Sequence, residues 1–349
     1  MEKKKRLIVT LLIMAILLVS STAFSQTPIK WRGQSAYPTA PGVAPFPELA
    51  GSQNSGPFFA KWLAKETKGQ LLLDVAQQGS IMPIAQSFTA VSKGVIDFAG
   101  LYYGAFHSGQ MPETDIEIGL PFAWETMSEA WDGLYNRKIA DEIKKVYAEN
   151  NIYWIPYICN VHYGFGTNFP VPGVESLKGK KIRAGGIYGE VVKAVGASPV
   201  VLPMGEVYMA LKLGTIEGTI MSLDAVETSK MAEVWKYYVV SPNPNTIIGS
   251  IIINMNSFNK LPDNIKTLIE DNAPLALLGH AVSNLPYEDF LANKYGKQNP
   301  FVTVRWPYSE AVKIRKICYG VWDQVAAKSP RCAKLVEMVR SQMRDLGKM

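Results

Sequence analysis

LKGKKIRAGGIYGEVVKAVGASPVVLPMGEVYMALKLGTIEG, residues 177–218, is the stretch whose reading decides the fold. Lys180 to Ala184 is short and extended, with Ile182 its apolar member, and Gly185-Gly186 breaks it. Glu190 to Val195 has helical character, and Gly196 stands where a helix-ending glycine belongs. Val200 to Leu202 is a second extended run. Pro203 stops it, and Glu206 to Leu213 predicts a second helix closed by Gly214. Together these form one βαβα unit, the building block of a sheet with helices on its faces. The class is therefore α/β.

Arg183 ends the first of these strands, just before a glycine pair and a helix start. A helix start gathers unpaired N–H groups and partial positive charge. A guanidinium there adds a planar fork that matches a carboxylate. The alternative is a surface arginine in a lysine-rich strand, beside Lys178, Lys180 and Lys181.

The blocks LKGKKIRAGG, GASPVVLPMGEVYMAL and KLGTIEG, preceded by GVIDFAG at 94–100 and IGLPFAW at 118–124, resemble the core of the TRAP-transporter solute-binding proteins. The resemblance runs from about Gly69 to Pro262. It implies a two-lobed periplasmic-binding-protein fold of type II-like form. Two crossing strands would serve as the hinge, and long helices would end the chain. It also implies that Arg183 holds the carboxylate of an organic acid, with a sulfonate as the alternative. Delivery would be to TRAP membrane permease subunits driven by a sodium gradient. Sialic-acid binders of the family carry a second arginine 20 residues before the first. Tyr163 occupies that position here, so a sialic acid is disfavoured. Family selectors of Glu, Asn or Trp after the motif's glycine are replaced here by Thr219, Ile220, Met221 and Ser222. Asp224 stands where one subgroup has a Glu. It either accepts from a ligand hydroxyl or caps the following helix, the cap being slightly favoured. Met221 is taken as a pocket residue on this basis.

The rest of the chain fits the same plan. Lys3, Lys4, Lys5 and Arg6, an apolar run from Leu7 to Val19, and Ala23-Phe24-Ser25 form a secretory leader over 1–25, which directs the chain to the periplasm. The full chain of 349 residues carries +6, and removing four basic groups and one acidic group with the leader leaves +3. So mild a charge does not argue for nucleic acid.

Ile152 to Ile158 reads as a buried strand continuing through His162 and Tyr163 to Asn168, crossing from one lobe to the other. Thr246 to Met255 is the return crossing. The expected division is lobe I at 26–158 plus 251–300, lobe II at 159–250, and a C-terminal strand and helices at 301–349 packing across both.

His162 and Tyr163 lie near the crossing. Tyr102 and Tyr103 follow the strand VIDFAGL, where aromatic residues suit either a ligand wall or packing. Tyr37 and Phe46 lie in a Pro/Gly-rich loop over 37–56, where either covers a pocket or packs the loop, packing being the favoured role. Ser128 to Asn150 predicts one long helix with Ser128 at its N-cap.

The three cysteines, Cys159, Cys318 and Cys332, show no metal-ligand spacing, though Cys318 and Cys332 could bridge. No cofactor is expected. Only three histidines occur, and none pairs with a nucleophile in a recognisable motif, which disfavours a secreted enzyme. A ligand-sensing partner of a signalling kinase is the other alternative. The chain is expected to be a monomer, or a dimer swapped through its C-terminal helices.

Overall fold

The computed structural model describes residues 27–37, 54–159, 163–244, 246–296 and 301–349. The leader read at 1–25 and Phe46 lie outside them.

Eleven strands form two sheets among the described residues. The first contains β1 (Ile29–Ser35), β2 (Leu71–Ala76), β3 (Phe98–Tyr102), β4 (Ile152–Cys159) and β10 (Ile247–Asn254), in the order β2-β1-β3-β10-β4. The second contains β5 (Tyr163–Thr167), β6 (Lys181–Arg183), β7 (Ser198–Val200), β8 (Gly218–Ser222), β9 (Tyr237–Ser241) and β11 (Val302–Arg305), in the order β11-β9-β5-β8-β6-β7. β1 runs parallel to β2 and β3, and β6 runs parallel to β7 and β8. In each lobe a group of parallel strands therefore opens its carboxyl ends on one edge, where α/β sheets bind ligands.

The two crossings lie side by side. β4 and β10 pair antiparallel along their full length, from Ile247 opposite Cys159 to Asn254 opposite Ile152. β5 and β9 pair antiparallel in the second sheet. Every residue of β10 is buried, and each fully buried isoleucine there contributes roughly 1.5–3 kcal/mol.

Side-chain alternation splits the core of lobe II. Phe165, Ile182, Ile220 and Val239 face a cluster continuous with lobe I, while Met221 and Tyr238 face a second cluster on the other side of the sheet. Helix Leu285–Gly296 inserts Tyr287 and Leu291 into that second cluster. This corrects the expected division, which gave the chain up to residue 300 to lobe I. The segment leaves lobe I after helix Asp263–Ser283, because its apolar face completes the outer side of the lobe II sheet.

The expected helix at 128–150 is broken. Met127–Trp131 starts at Thr126, whose hydroxyl accepts from the Glu129 amide at 3.3 Å, so Ser128 is not the cap. A wider turn follows at Asp132–Asn136. Lys138 at φ 64 then precedes helix Ile139–Glu149, and that left-handed residue cannot continue a helix.

Two long helices close the chain. Tyr308–Ala326 packs on helix Gly186–Ala194 of lobe II, and Pro330–Asp345 packs on Ile139–Glu149 of lobe I. Ser329 caps the last helix by accepting from the Cys332 amide at 3.0 Å, with Pro330 at its first position. Cys159, Cys318 and Cys332 are free and buried, so the bridge considered for the last two is absent. Among the described residues no helix is long and apolar enough to cross a membrane.

Gln342 fastens the last helix to lobe I. Its Oε1 accepts from Trp124 Nε1 at 2.8 Å, and its Nε2 donates to the Glu129 carbonyl at 2.8 Å and to Asp132 Oδ2 at 2.9 Å. Both Gln342 and Trp124 are wholly buried. Gln342→Leu keeps the volume but leaves the indole N–H without a partner. It should lower stability by about 2–4 kcal/mol in urea unfolding.

Candidate functional site

Arg183 is the last residue of β6, between β7 and β8, at the carboxyl edge of the lobe II sheet. Its Nε and Nη2 both donate to the Leu202 carbonyl at 3.3 Å. That anchor leaves the outer fork, Nη1 with the second Nη2 hydrogen, without a partner among the described residues. Lys180, by contrast, is matched by Glu217 at 2.8 Å, so the lysine-rich strand does not treat its cations alike. Just beyond Arg183, Gly186 opens helix Gly186–Ala194 at φ +54, and a β-carbon there would sit 3.6 Å from Ala105 of lobe I. The backbone angle favours glycine, while 3.6 Å is an ordinary van der Waals distance, so space alone would admit a β-carbon.

Two tyrosines, Tyr37 and Tyr163, lie within electrostatic reach of the cation. Tyr163 opens β5 and packs on Tyr188 of the following helix, with ring centroids 5.0 Å apart. From lobe I, Tyr37 follows the end of β1 and meets Tyr103 edge-on at 5.5 Å and Phe106 at 6.2 Å. Tyr103 donates to Cys159 Sγ at 4.0 Å. Burial raises the pKa of the Tyr37 hydroxyl; Tyr163 adds to this and the positive charge of Arg183 opposes it. At Tyr163 burial again raises and Arg183 again lowers. The guanidinium of one lobe thus acts on aromatic hydroxyls from both. Burial pushes the Cys159 thiol up to about 12, so it is inert as a nucleophile.

Asp224 is buried, accepts from the Ser222 hydroxyl, and raises the pKa of Tyr37 and Cys159. Its side chain makes no capping hydrogen bond to helix Ala225–Thr228, which removes the cap reading. Three other expected residues stand differently. His162 lies outside the described residues. Met221 pairs with Gly164 across β8 and β5, while Tyr163 pairs with Ser222; one step along the strand turns Met221 to the far face, into the second core cluster. Tyr102 is wholly buried in lobe I against Phe106 and His107, at 5.4 Å and 5.3 Å. Tyr103, the next residue and past the end of β3, packs against Tyr37 instead.

Tyr37, Phe106 and Tyr188 also belong here. Only the parallel pairing of β1 with β3 brings Tyr37 beside Tyr103, and no local pattern announces that pairing.

A groove beyond Gly186 widens to about 550 Å³ between Ser108, Glu190 and Gln324. Its charges are already matched, Lys328 with Asp115 at 2.6 Å and Lys193 with Glu190 at 2.8 Å. Among the described residues no group of three or more His, Cys, Asp or Glu side chains is placed to hold a metal ion.

The chain belongs to the bacterial extracellular solute-binding proteins of family 7, the TRAP solute-binding proteins, whose family model matches residues 53–328. It is 24% identical over 327 residues to a monocarboxylate 2-oxoacid-binding periplasmic protein of Nostoc sp., covering 88% of this chain and 82% of that one. Its fold matches a TRAP periplasmic solute-binding protein of Pseudoalteromonas atlantica with bound sodium and pyruvate. There the TM-score is 0.79 at 19% identity, over 92% of this chain and 95% of that one. A Desulfovibrio salexigens relative with bound orotic acid matches at TM-score 0.78 and 20% identity, over 90% and 99%. Family and neighbours are receptors, not enzymes.

Behind the aromatic wall, Glu117 is wholly buried and accepts from Tyr147 Oη at 2.5 Å and from the Ser250 hydroxyl. Trp154 Nε1 donates to Ser250 Oγ at 2.7 Å, so the knot joins β4 to β10. Burial pushes the Glu117 carboxyl up from 4.5 to about 7, against the pull of its hydrogen bonds. A raised folded-state value means that the folded form binds the extra proton. The stability due to Glu117 is full below about pH 4.5 and is lost as pH rises to 7, by roughly 3 kcal/mol at most. Glu117→Gln should flatten that decline, read as urea midpoints at pH 5 and pH 8.

Proposed function

We propose that the protein captures a small organic anion, a carboxylate or a sulfonate, between its lobes on Arg183. The loaded form is then handed to TRAP membrane permease subunits for sodium-coupled uptake. The observation that carries this is the Arg183 guanidinium, fixed by the Leu202 carbonyl and facing hydroxyls from both lobes. An arginine already held in place loses little freedom when an acid binds. Closing the lobes excludes water, and the ion pair gains strength as the local dielectric falls.

The names of the relatives support an organic acid. They include the 2-oxoacid binder of Nostoc and a Rhodoferax ferrireducens protein with bound malonate. A leader at 1–25 fits capture outside the inner membrane. Tyr163 in place of a second arginine keeps the cleft singly cationic and argues against a sialic acid.

Arg183→Ala should weaken binding of an organic acid by 100-fold or more in isothermal titration calorimetry. Arg183→Lys should weaken it as well, since an ammonium keeps the charge and loses the fork. Unchanged affinity in the alanine variant would remove Arg183 from the site.

A further inference from the structure

We propose that the guest is a planar monocarboxylate whose body is a ring, held between an aromatic wall from lobe I and a second pair of rings from lobe II. This rests on the Arg183 reading above and specifies its ligand class.

Charge sets the first limit. Arg183 is the one cation acting on both Tyr37 and Tyr163, and the buried carboxylate of Asp224 acts on Tyr37 as well. Counting Asp224 as ionised, it and Arg183 already cancel, so a guest with one carboxylate brings the cleft to a net charge of −1. A second carboxylate would raise that excess to −2, and like charges in a partly buried site repel strongly.

Shape sets the second. Tyr37, Tyr103 and Phe106 contact one another with centroids 5.5–6.3 Å apart, and Tyr163 and Tyr188 form a second pair in lobe II. Tilted and edge-on contacts of this kind extend naturally to a further ring, which can offer its own face or edge. A three-carbon acid would satisfy Arg183 and leave most of that aromatic surface uncovered. The hydroxyls of Tyr37 and Tyr163 have no hydrogen-bond partner among the described residues, so each can donate to a ring substituent or heteroatom. The aromatic groups are split between lobes, so a ring binds fully only when both are in contact with it.

The test is calorimetric titration of the purified protein with benzoate, nicotinate, pyruvate and malonate. At least one ring acid should bind ten-fold or more tighter than pyruvate, with malonate weakest. Tyr37→Leu should weaken the ring acid at least ten-fold and pyruvate less than two-fold, while Tyr37→Phe retains the ring preference. Circular dichroism of each variant checks that it is folded. Pyruvate or malonate binding as well as the ring acids, or Tyr37→Leu weakening ring acid and pyruvate alike, overturns the proposal. In those cases, loss of all binding in Arg183→Ala would leave the organic-anion reading standing. Acid binding unaffected by Arg183→Ala would overturn that reading too.

Discussion

The guanidinium of Arg183, tied to the carbonyl of Leu202, is the contact on which the site depends. A half-buried cation with a long, flexible side chain is a poor receptor unless something fixes its direction. Here the fixing group is backbone, supplied by the segment that leaves the neighbouring strand β7. Orientation of the cation is thus a property of the parallel sheet itself, as in other sites at the carboxyl ends of strands. The left-handed turn at Gly186 follows directly, on the side of the corner that faces Ala105 of lobe I.

The strands that join the lobes are among the most strongly held parts of the molecule. β10 is buried throughout and paired to β4 over its whole length, and the Glu117–Ser250–Trp154 knot binds both at their middle. The C-terminal helices add a second connection, with Tyr308–Ala326 against lobe II and Pro330–Asp345 against lobe I. Trp322 also donates to the Pro121 carbonyl of lobe I at 3.0 Å, and Trp306 to Val171 of lobe II at 2.8 Å. The paired crossings and the two helices are thus the connections between the lobes that the structure shows.

Much of this was legible in residues 177–218, where glycines and prolines punctuate strand and helix so firmly that the βαβα unit has no competing reading. Legibility failed where long-range pairing decides. Tyr102 and Tyr103 look equivalent in sequence, and only the fold, where β3 ends at Tyr102, leaves one in the core and the other against Tyr37. Met221 was misplaced by the same one-residue step. Helix Leu285–Gly296 carries apolar residues that would suit either lobe, and its assignment depends on an uncovered sheet face that no local pattern reveals. The helix predicted over 128–150 keeps helical periodicity through a left-handed residue at Lys138, which propensity does not foresee. Tyr37 joins the site only because β1 neighbours β3.

The division of the site between lobes has a thermodynamic consequence. A ligand shifts an opening equilibrium only by the difference in its affinity for the two states, and reversing a 1:99 population takes about 10⁴-fold. An acid that touched Arg183 alone would bind open and closed forms nearly equally and would close nothing. Under the proposal, contacts from Tyr37 and Tyr103 of lobe I would supply the difference. On the proposed reading, affinity for the charge comes from lobe II and the signal that the receptor is loaded comes from lobe I. Any ligand that fails to span the two would be bound without being delivered.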